Sequence, residues 1–137
     1  MNCVFCKIIN GEIPSYKVYE DEYVMAFLDI SQITKGHTLI VPKKHVKNIY
    51  DMDEITASTI FLAVPKLARA IKDAFHPIGL NIISNNEKPH QSVDHFHIHL
   101  IPRYEKDGFK IDFINNQDLL STEDYLETVQ SIKQQLK

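Results

Sequence analysis

The stretch His95-Phe96-His97-Ile98-His99-Leu100-Ile101 alternates histidine with apolar residues. Successive side chains of a β-strand point to opposite faces of the sheet, so this spacing predicts a strand over residues 95–101. We expect Phe96, Ile98 and Leu100 to face the core and the three imidazoles to line the other face, about 6.6 Å apart. An exposed strand face usually mixes several polar residue types, so three histidines at these positions indicate a chemical function.

Three imidazoles on one face suit two kinds of site. One is a zinc centre with three histidine ligands and an open fourth position. The other is nucleophilic attack on phosphorus by a neutral imidazole, which is mostly unprotonated at neutral pH because its pKa is about 6.5. Ring nitrogens spread along about 13 Å of straight strand do not converge easily on one ion. The spacing favours the nucleophile, and catalytic zinc stays an alternative.

The remaining apolar runs complete a predicted sheet. Two runs separated by an acidic turn predict a hairpin over residues 15–30. Shorter runs predict strands over residues 37–41 and 80–83. With residues 95–101 these make five strands joined by short connections, which predicts an α+β fold with a mostly antiparallel five-stranded sheet.

Two helices are predicted from apolar residues at helical spacing. The first covers about residues 54–75, with Asp51 or Asp53 as its N-cap. Pro65 lies inside this stretch and predicts a kink or two abutting helical pieces. The second begins near Ser121 and carries an apolar stripe. The predicted order is β-β-β-α-β-β-α.

Composition limits the class of protein and its partners. With 137 residues, 44% of them hydrophobic and 24% charged, the chain is expected to form one globular domain over residues 1–137. Its net charge of −3 gives no electrostatic reason to expect a nucleic acid or an anionic membrane as partner. Met1 is not followed by a basic and then an apolar segment, and no apolar run approaches a membrane span. We therefore expect a cytoplasmic protein.

Cys3 and Cys6 form a Cys-x-x-Cys pair near the N-terminus. In a reducing compartment such a pair is typical of a redox or metal site rather than of a structural disulfide. The pair precedes the first predicted strand instead of following one in a βαβ unit, which disfavours the redox site. Structural zinc is commonly bound by two cysteines and two histidines. The residues alone leave open a metal site or two ordinary buried cysteines.

The histidine stretch, followed by Pro102 and Arg103, resembles the signature of the histidine-triad (HIT) nucleotide-binding proteins. Further blocks are similar to the bacterial branch of that family: Cys3-x-x-Cys6-Lys7-Ile8-Ile9, Glu12-Ile13-Pro14-Ser15, Ala26-Phe27-Leu28-Asp29-Ile30, Gly36-His37-Thr38-Leu39, Val41-Pro42-Lys43-Lys44-His45 and Gln91-Ser92-Val93. The resemblance implies a HIT-like fold. It covers a core of about residues 3–103 and leaves residues 104–137 as a C-terminal extension without an assignable signal.

The resemblance also implies a reaction. His97 would be the nucleophile and would form a nucleotidyl-histidine intermediate that water then hydrolyses. His99 would orient the phosphate and His97, and Ser92 would assist the leaving group. The implied protein is a nucleotide hydrolase or transferase acting at the α-phosphorus of a nucleoside phosphoramidate or a dinucleoside polyphosphate. The alternative is a non-catalytic regulatory module that binds purine nucleotides on the same fold.

Other residues would bind the nucleotide. Asp29 corresponds to the ribose-binding acid of the family, since a carboxylate can accept hydrogen bonds from both ribose hydroxyls. The apolar slot for the base would be formed by Phe5, Ile8, Phe27 and Ile30. The phosphate side would be formed by Asn85 or Asn86 together with Gln91. The loop before Gln91 is one residue shorter than the family pattern and has His90 in place of a glycine. This departure leaves the choice between Asn85 and Asn86 open.

Similar bacterial proteins bind a structural zinc, which implies Cys3, Cys6, His45 and His95 as ligands here. Such a site would pin the N-terminal segment and fix His95, leaving His97 free for chemistry. No organic cofactor is expected. Family members pair through a helix and the edge of the sheet, so the resemblance also implies a homodimer.

Overall fold

The computed structural model describes residues 2–137 and confirms the predicted α+β fold. Its five strands form one antiparallel sheet in the order β1-β2-β3-β5-β4. The elements are α1 Val4–Ile9, β1 Lys17–Glu20, β2 Val24–Leu28, β3 Thr38–Pro42, α2 Glu54–Phe75, β4 Gly79–Ile83, β5 Ile98–Arg103 and α3 Thr122–Gln135. Single 3-10 turns lie at Ile49–Asp51 and Gln117–Leu119.

The main core lies between α2 and one face of the sheet. Apolar residues at helical spacing on α2, including Ile60, Val64 and Leu67, are buried against it. The predicted core residues of the histidine stretch, Phe96, Ile98 and Leu100, belong to the same cluster. Burial of this apolar face supplies most of the stabilisation of α2, since helical propensity alone is weak.

The opposite face of the sheet is covered by α1. Phe5 packs with residues of β2 and β3, and its ring lies edge-on to Phe27 at a centroid distance of 5.5 Å. Because both faces are covered, β2 and β3 are buried along almost their whole length, which explains why their sequences are continuously apolar. The sequence does not predict α1, because a helix of six residues is too short to show a periodic pattern.

The histidine stretch departs from the predicted strand over residues 95–101. β5 begins only at Ile98 and continues to Arg103, so His95 and His97 precede it. The backbone N–H of Phe96 donates to the carbonyl of Val46 (2.8 Å), outside the strand ladder. Residues 95–97 therefore lie before the strand, so the three histidines do not share one regular strand.

The helix termini follow from the sequence. Asp53 caps α2 by accepting from the N–H of Thr56 (2.7 Å), as predicted. Residues 54–75 form one helix that continues through Pro65, rather than two pieces. Ser121 caps α3 in a capping box with Asp124. No helix within residues 2–137 has the length and apolarity to cross a membrane.

Gly36 lets the chain enter β3 beside the end of α2. Its φ of +97° lies in the region that favours glycine. A Cβ at this position would lie 3.1 Å from the ring of Phe75 and 3.2 Å from the side chain of Pro102. The backbone conformation and the close approach both require glycine here.

We predict that Gly36→Ala lowers the free energy of unfolding by about 2 kcal/mol or more, because backbone strain and overpacking add. Gly108→Ala is the matched control, since Gly108 has a φ of +76° and no neighbouring atom within 4 Å of the added Cβ. Gly108→Ala should lower the free energy of unfolding only through its backbone strain, by about 1 kcal/mol. Urea denaturation of both variants measures the difference, and equal losses would contradict the packing argument.

Candidate active site and metal centre

A pocket of about 550 Å³ lies beside α1 and the histidine stretch. This volume is typical of sites for small ligands. Eight of the predicted site residues line it: Phe5, Ile8, Phe27, Asp29, Ile30, Ser92, His97 and His99. Phe5 and Phe27 are buried, whereas Ile30 is largely exposed at the rim. The pocket therefore combines an apolar wall with two imidazoles, a hydroxyl and a carboxylate.

The orientation of the His97 ring is set by its own backbone. Nδ1 lies 2.8 Å from the carbonyl oxygen of His95. A carbonyl only accepts, so the hydrogen bond assigns the proton to Nδ1 and leaves the lone pair on Nε2. The ring is buried and contacts the edge of Phe5. Burial lowers the pKa of His97, although the His95 carbonyl and Asp29 oppose the shift. His97 is thus a neutral imidazole with one free nitrogen.

His99 is held by a fourth histidine, His37, whose function is not evident from the sequence. Nε2 of His37 lies 2.9 Å from Nδ1 of His99, and the backbone N–H of Ile33 donates to Nδ1 of His37 (3.2 Å). The Ile33 donor places the His37 proton on Nε2, from which it is donated to His99. His99 then carries its proton on Nε2 and can donate a hydrogen bond. Its ring centroid lies 5.1 Å from that of His97 rather than the expected 6.6 Å.

The pairing of β3 with β5 brings His37 beside His99. Leu39 of β3 pairs directly with His99 of β5. Residue 37 lies two positions before Leu39, so its side chain points to the same face of the sheet as Leu39 and His99. The side chain of His37 is buried, and burial lowers its pKa. Burial, followed by the neighbouring rings of His97 and His37, lowers the pKa of His99 to about 4. Both imidazoles are therefore neutral at pH 7.

Asp29 provides the carboxylate of the pocket. Oδ1 accepts from the N–H of Ser31 (2.8 Å), which fixes the side chain at the end of β2. Oδ2 lies 3.5 Å from Nε2 of His37 and 3.9 Å from Nδ1 of His99. The carboxylate thus lines the pocket close to the histidines, where it can accept hydrogen bonds from a ligand.

Two groups within residues 2–137 have the composition to hold a metal ion, and neither contains His97. One consists of Asp29, His37 and His99. A metal bound to Nε2 of His37 would displace the ring proton from Nε2 to Nδ1, where it would face the N–H of Ile33. This group is therefore better suited to a hydrogen-bond network than to a metal. The three histidines of the stretch do not form a common ligand group, which disfavours the catalytic zinc alternative.

The second group consists of Cys3, Cys6, His45 and His95. Cys3 caps α1 and Cys6 lies one turn later, so both sulfurs face the same side. Nδ1 of His95 lies 3.5 Å from each sulfur and 3.1 Å from Nδ1 of His45, and the Cys6 sulfur lies 3.3 Å from Nδ1 of His45. Tetrahedral zinc with ordinary bond lengths separates such ligand atoms by about 3.3–3.8 Å. The three sulfur–nitrogen distances lie within this range and the nitrogen–nitrogen distance is slightly shorter, so the four side chains could close around one ion.

The protonation of the group also fits a metal. Nε2 of His95 donates to the carbonyl of Pro42 (2.8 Å), so its lone pair lies on Nδ1 and faces the cluster. Burial lowers the pKa of His95 to about 4, which keeps the ring neutral as a ligand must be. Burial, followed by the neighbouring Cys3 thiol, raises the pKa of Cys6 to about 11. A bound cation would offset that shift and stabilise the thiolate.

The remaining predicted site residues do not line the pocket. The side chain of Asn86 accepts from the N–H of Ile49 (2.8 Å). Gln91 donates to the carbonyls of Lys47 (2.6 Å) and Val93 (3.1 Å). Asn85 also lies outside the lining. Asn86 and Gln91 therefore hold the loop before Ser92 against residues 47–49.

Comparison with known proteins places this geometry in a family. The HIT domain model matches residues 10–106. The chain belongs to the HIT family. The protein hit of Bacillus subtilis is 56% identical over 137 residues, covering 98% of this chain and 94% of the relative. The adenosine 5′-monophosphoramidase hnt1 of Schizosaccharomyces pombe is 39% identical over 104 residues, covering 75% of each chain.

Solved HIT structures share the fold. A crystal structure of a HIT family member from Bacillus subtilis has a TM-score of 0.97 at 55% identity, covering 100% of this chain and 99% of that one. A HIT family protein from Bacillus anthracis has a TM-score of 0.96 at 49% identity, covering 99% and 98%. A zinc-bound histidine triad protein from Mycobacterium smegmatis has a TM-score of 0.75 at 32% identity, covering 96% and 98%.

Proposed function

We propose that this HIT protein hydrolyses a nucleoside phosphoramidate, or a dinucleoside polyphosphate, by nucleophilic attack of His97 on the α-phosphorus. The observation that carries the proposal is the free Nε2 of a neutral, buried His97 in a nucleotide-sized pocket. The phosphoramidase name of the fission-yeast relative supports the phosphoramidate as substrate. The same attack on a dinucleoside polyphosphate would release a nucleotide in place of an amine.

The reaction proceeds in two displacements. Nε2 of His97 donates its lone pair to phosphorus as the bond to the leaving group breaks, and the leaving amine takes up a proton from solvent, to which the attacking water of the second step returns one. Positive charge develops on the imidazole, and the His95 carbonyl that accepts from Nδ1–H stabilises it. Water then attacks the phosphorus, the bond to His97 breaks, and the nucleoside monophosphate is released. Splitting one displacement into two is the advantage of a covalent nucleophile.

The pocket can hold the nucleotide in the required orientation. The purine lies against the apolar wall of Phe5, Ile8 and Phe27, and Ile30 covers it at the rim. The Asp29 carboxylate accepts from the ribose hydroxyls. With these proposed contacts the α-phosphate would lie beside His97 and His99, which also line the pocket.

Donors around the phosphate stabilise the developing negative charge. His99 donates from Nε2 because His37 occupies its Nδ1. The Ser92 hydroxyl assists the leaving group. Gln91 supports the loop that presents Ser92, while a phosphate contact from Asn85 or Asn86 stays a prediction.

We predict that His97→Asn and His97→Ala fold and bind a nucleoside monophosphate but lose turnover of adenosine 5′-phosphoramidate by several orders of magnitude. Removing the nucleophile deletes the covalent route and leaves the binding contacts. Calorimetric titration with AMP and a steady-state assay measure the two properties.

His76→Asn is the matched control, because His76 is exposed at the end of α2 with a φ of +49° that asparagine tolerates. It should retain wild-type activity. A tenth of wild-type activity in both His97 variants would refute the assignment of His97. Wild-type protein that binds AMP and turns over neither substrate class would indicate the regulatory module instead.

We further propose that Cys3, Cys6, His45 and His95 bind one structural zinc per chain. The zinc-bound relative from Mycobacterium smegmatis supports the metal, and the ligand separations support the geometry. Four protein ligands leave no open position, so this zinc supplies stability rather than chemistry. The cytoplasm, which we propose as the location, would keep both thiols reduced.

Chelation should lower the melting temperature and increase hydrogen exchange in α1, because binding free energy is folding free energy for such a site. Turnover should fall less than in the His97 variants. Metal analysis of protein purified without chelators should give one zinc per chain, and Cys6→Ser should lose it. Zinc absent from both the purified and a zinc-refolded sample would refute the site.

The protein is also proposed to be a homodimer that pairs through α2 and the β4 edge. β4 is an edge strand, and an unpaired edge is a liability that pairing removes. Large apolar side chains are exposed on α2 and β4, including Leu62 and Ile82. Sedimentation equilibrium should give a dimer mass at micromolar concentration, and a monomer mass would refute it.

A further inference from the structure

Tyr16 lines the pocket, and no function has yet been assigned to it here. It is 69% exposed, and within residues 2–137 its side chain forms no hydrogen bond or ring contact with another residue. Phe5 and Phe27, which line the same pocket, are only 7% and 3% exposed. Among these three rings, Tyr16 therefore has by far the most surface free to contact a ligand.

The buried rings of the pocket already pack against one another. The ring of Phe5 lies edge-on to the rings of Phe27, His95 and His97, at centroid distances of 5.5, 5.9 and 5.1 Å. Because these contacts cover most of the ring surface, Phe5 and Phe27 can offer a planar base only a small part of a wall. A base held by that wall alone would keep its other face in contact with water.

The backbone holds Tyr16 next to the residue proposed to bind the ribose. The N–H of Leu28 donates to the carbonyl of Tyr16 (3.0 Å), so Tyr16 lies beside the end of β2. Asp29 follows Leu28 directly and lines the pocket together with Tyr16. Because the base of a nucleotide is attached to its ribose, an aromatic ring this close to Asp29 is within reach of the base.

We propose that Tyr16 stacks on the face of the base that is turned away from Phe5 and Phe27, and that this contact favours purine over pyrimidine nucleotides. The inference rests on the nucleotide site proposed above and adds a specificity-determining residue to it. Stacking removes both ring surfaces from water and is stronger for the larger ring system of a purine. The contact needs no hydrogen bond to the edge of the base, so it accepts adenine and guanine alike.

Exposure of a tyrosine does not by itself mark a binding site. Tyr50 is 74% exposed as well, but it lies outside the lining of the pocket. Removal of the Tyr50 ring therefore measures the general effect of losing an exposed aromatic side chain. Tyr50→Ala is the matched control for Tyr16→Ala.

Calorimetric titration of the full-length variants with AMP, GMP and CMP tests the contact. Tyr16→Ala should weaken the binding of AMP and GMP at least fivefold, because base–aromatic stacking is lost. Binding of CMP should weaken less, so the preference for AMP over CMP should fall. Tyr16→Phe keeps the ring and should bind all three nucleotides as the wild type does, and Tyr50→Ala should change none of the affinities.

Three results of the titration would overturn the proposal. One is an unchanged affinity of Tyr16→Ala for AMP, and another is an equal loss in Tyr50→Ala. The third is a loss in Tyr16→Phe as large as in Tyr16→Ala, which would assign the effect to the hydroxyl instead of the ring.

NMR spectroscopy of the protein saturated with AMP measures the same contact directly. Nuclear Overhauser effects should join the ring protons of Tyr16 to the base protons of AMP, and none should involve Tyr50. Base contacts to Phe5 or Phe27 without any to Tyr16 would overturn the proposal. Neither measurement depends on turnover, so a protein that shows the stacking but hydrolyses no substrate would contradict only the reaction proposed for His97.

Discussion

The hydrogen bond from Nδ1 of His97 to the carbonyl of His95 decides what this site can do. At 2.8 Å it assigns the ring proton to the side facing the backbone and leaves Nε2 with its lone pair. Residues 95–97 precede β5, and the ring of His97 there reaches the carbonyl two residues back. In a regular strand that carbonyl would be available to the ladder instead. The irregular entry into β5 is therefore part of the proposed mechanism.

The position of His95 depends in turn on the cysteine and histidine cluster. Its Nε2 donates to the carbonyl of Pro42 and its Nδ1 faces Cys3, Cys6 and His45, so both ring nitrogens have partners. A metal at this cluster would hold the His95 backbone, and with it the acceptor for His97. We infer that a zinc ion bound there would act on catalysis only through this positioning. The functions proposed for His95 and His97 are thus separate, although the two residues lie two positions apart in one motif.

The sequence predicts the sheet, α2 and α3 because long apolar runs and helix caps are local signals. It also identifies the eight pocket residues and the four residues of the metal group, mainly through the family resemblance. It does not predict α1, which is too short to show a periodic pattern. It begins β5 too early, because the alternation of histidine and apolar residues starts before the hydrogen-bonded ladder does. His37 is missed because its function depends on strand pairing, which one sequence does not reveal. The sequence does not show whether Asn86 and Gln91 bind a ligand or support the loop, since amide groups form hydrogen bonds with loop backbone and with phosphate equally well.

The central claim is that His97 becomes covalently bound to the nucleotide. Rapid mixing with adenosine 5′-phosphoramidate, quenching at high pH during the first turnover and intact-mass analysis test it directly, because a phosphoramidate bond to histidine survives base. We expect a transient increase by the mass of one adenylyl group per chain, mapped by peptide sequencing to His97 and absent from His97→Asn. An adduct on another residue, or full turnover with no adduct at any time point, would contradict it.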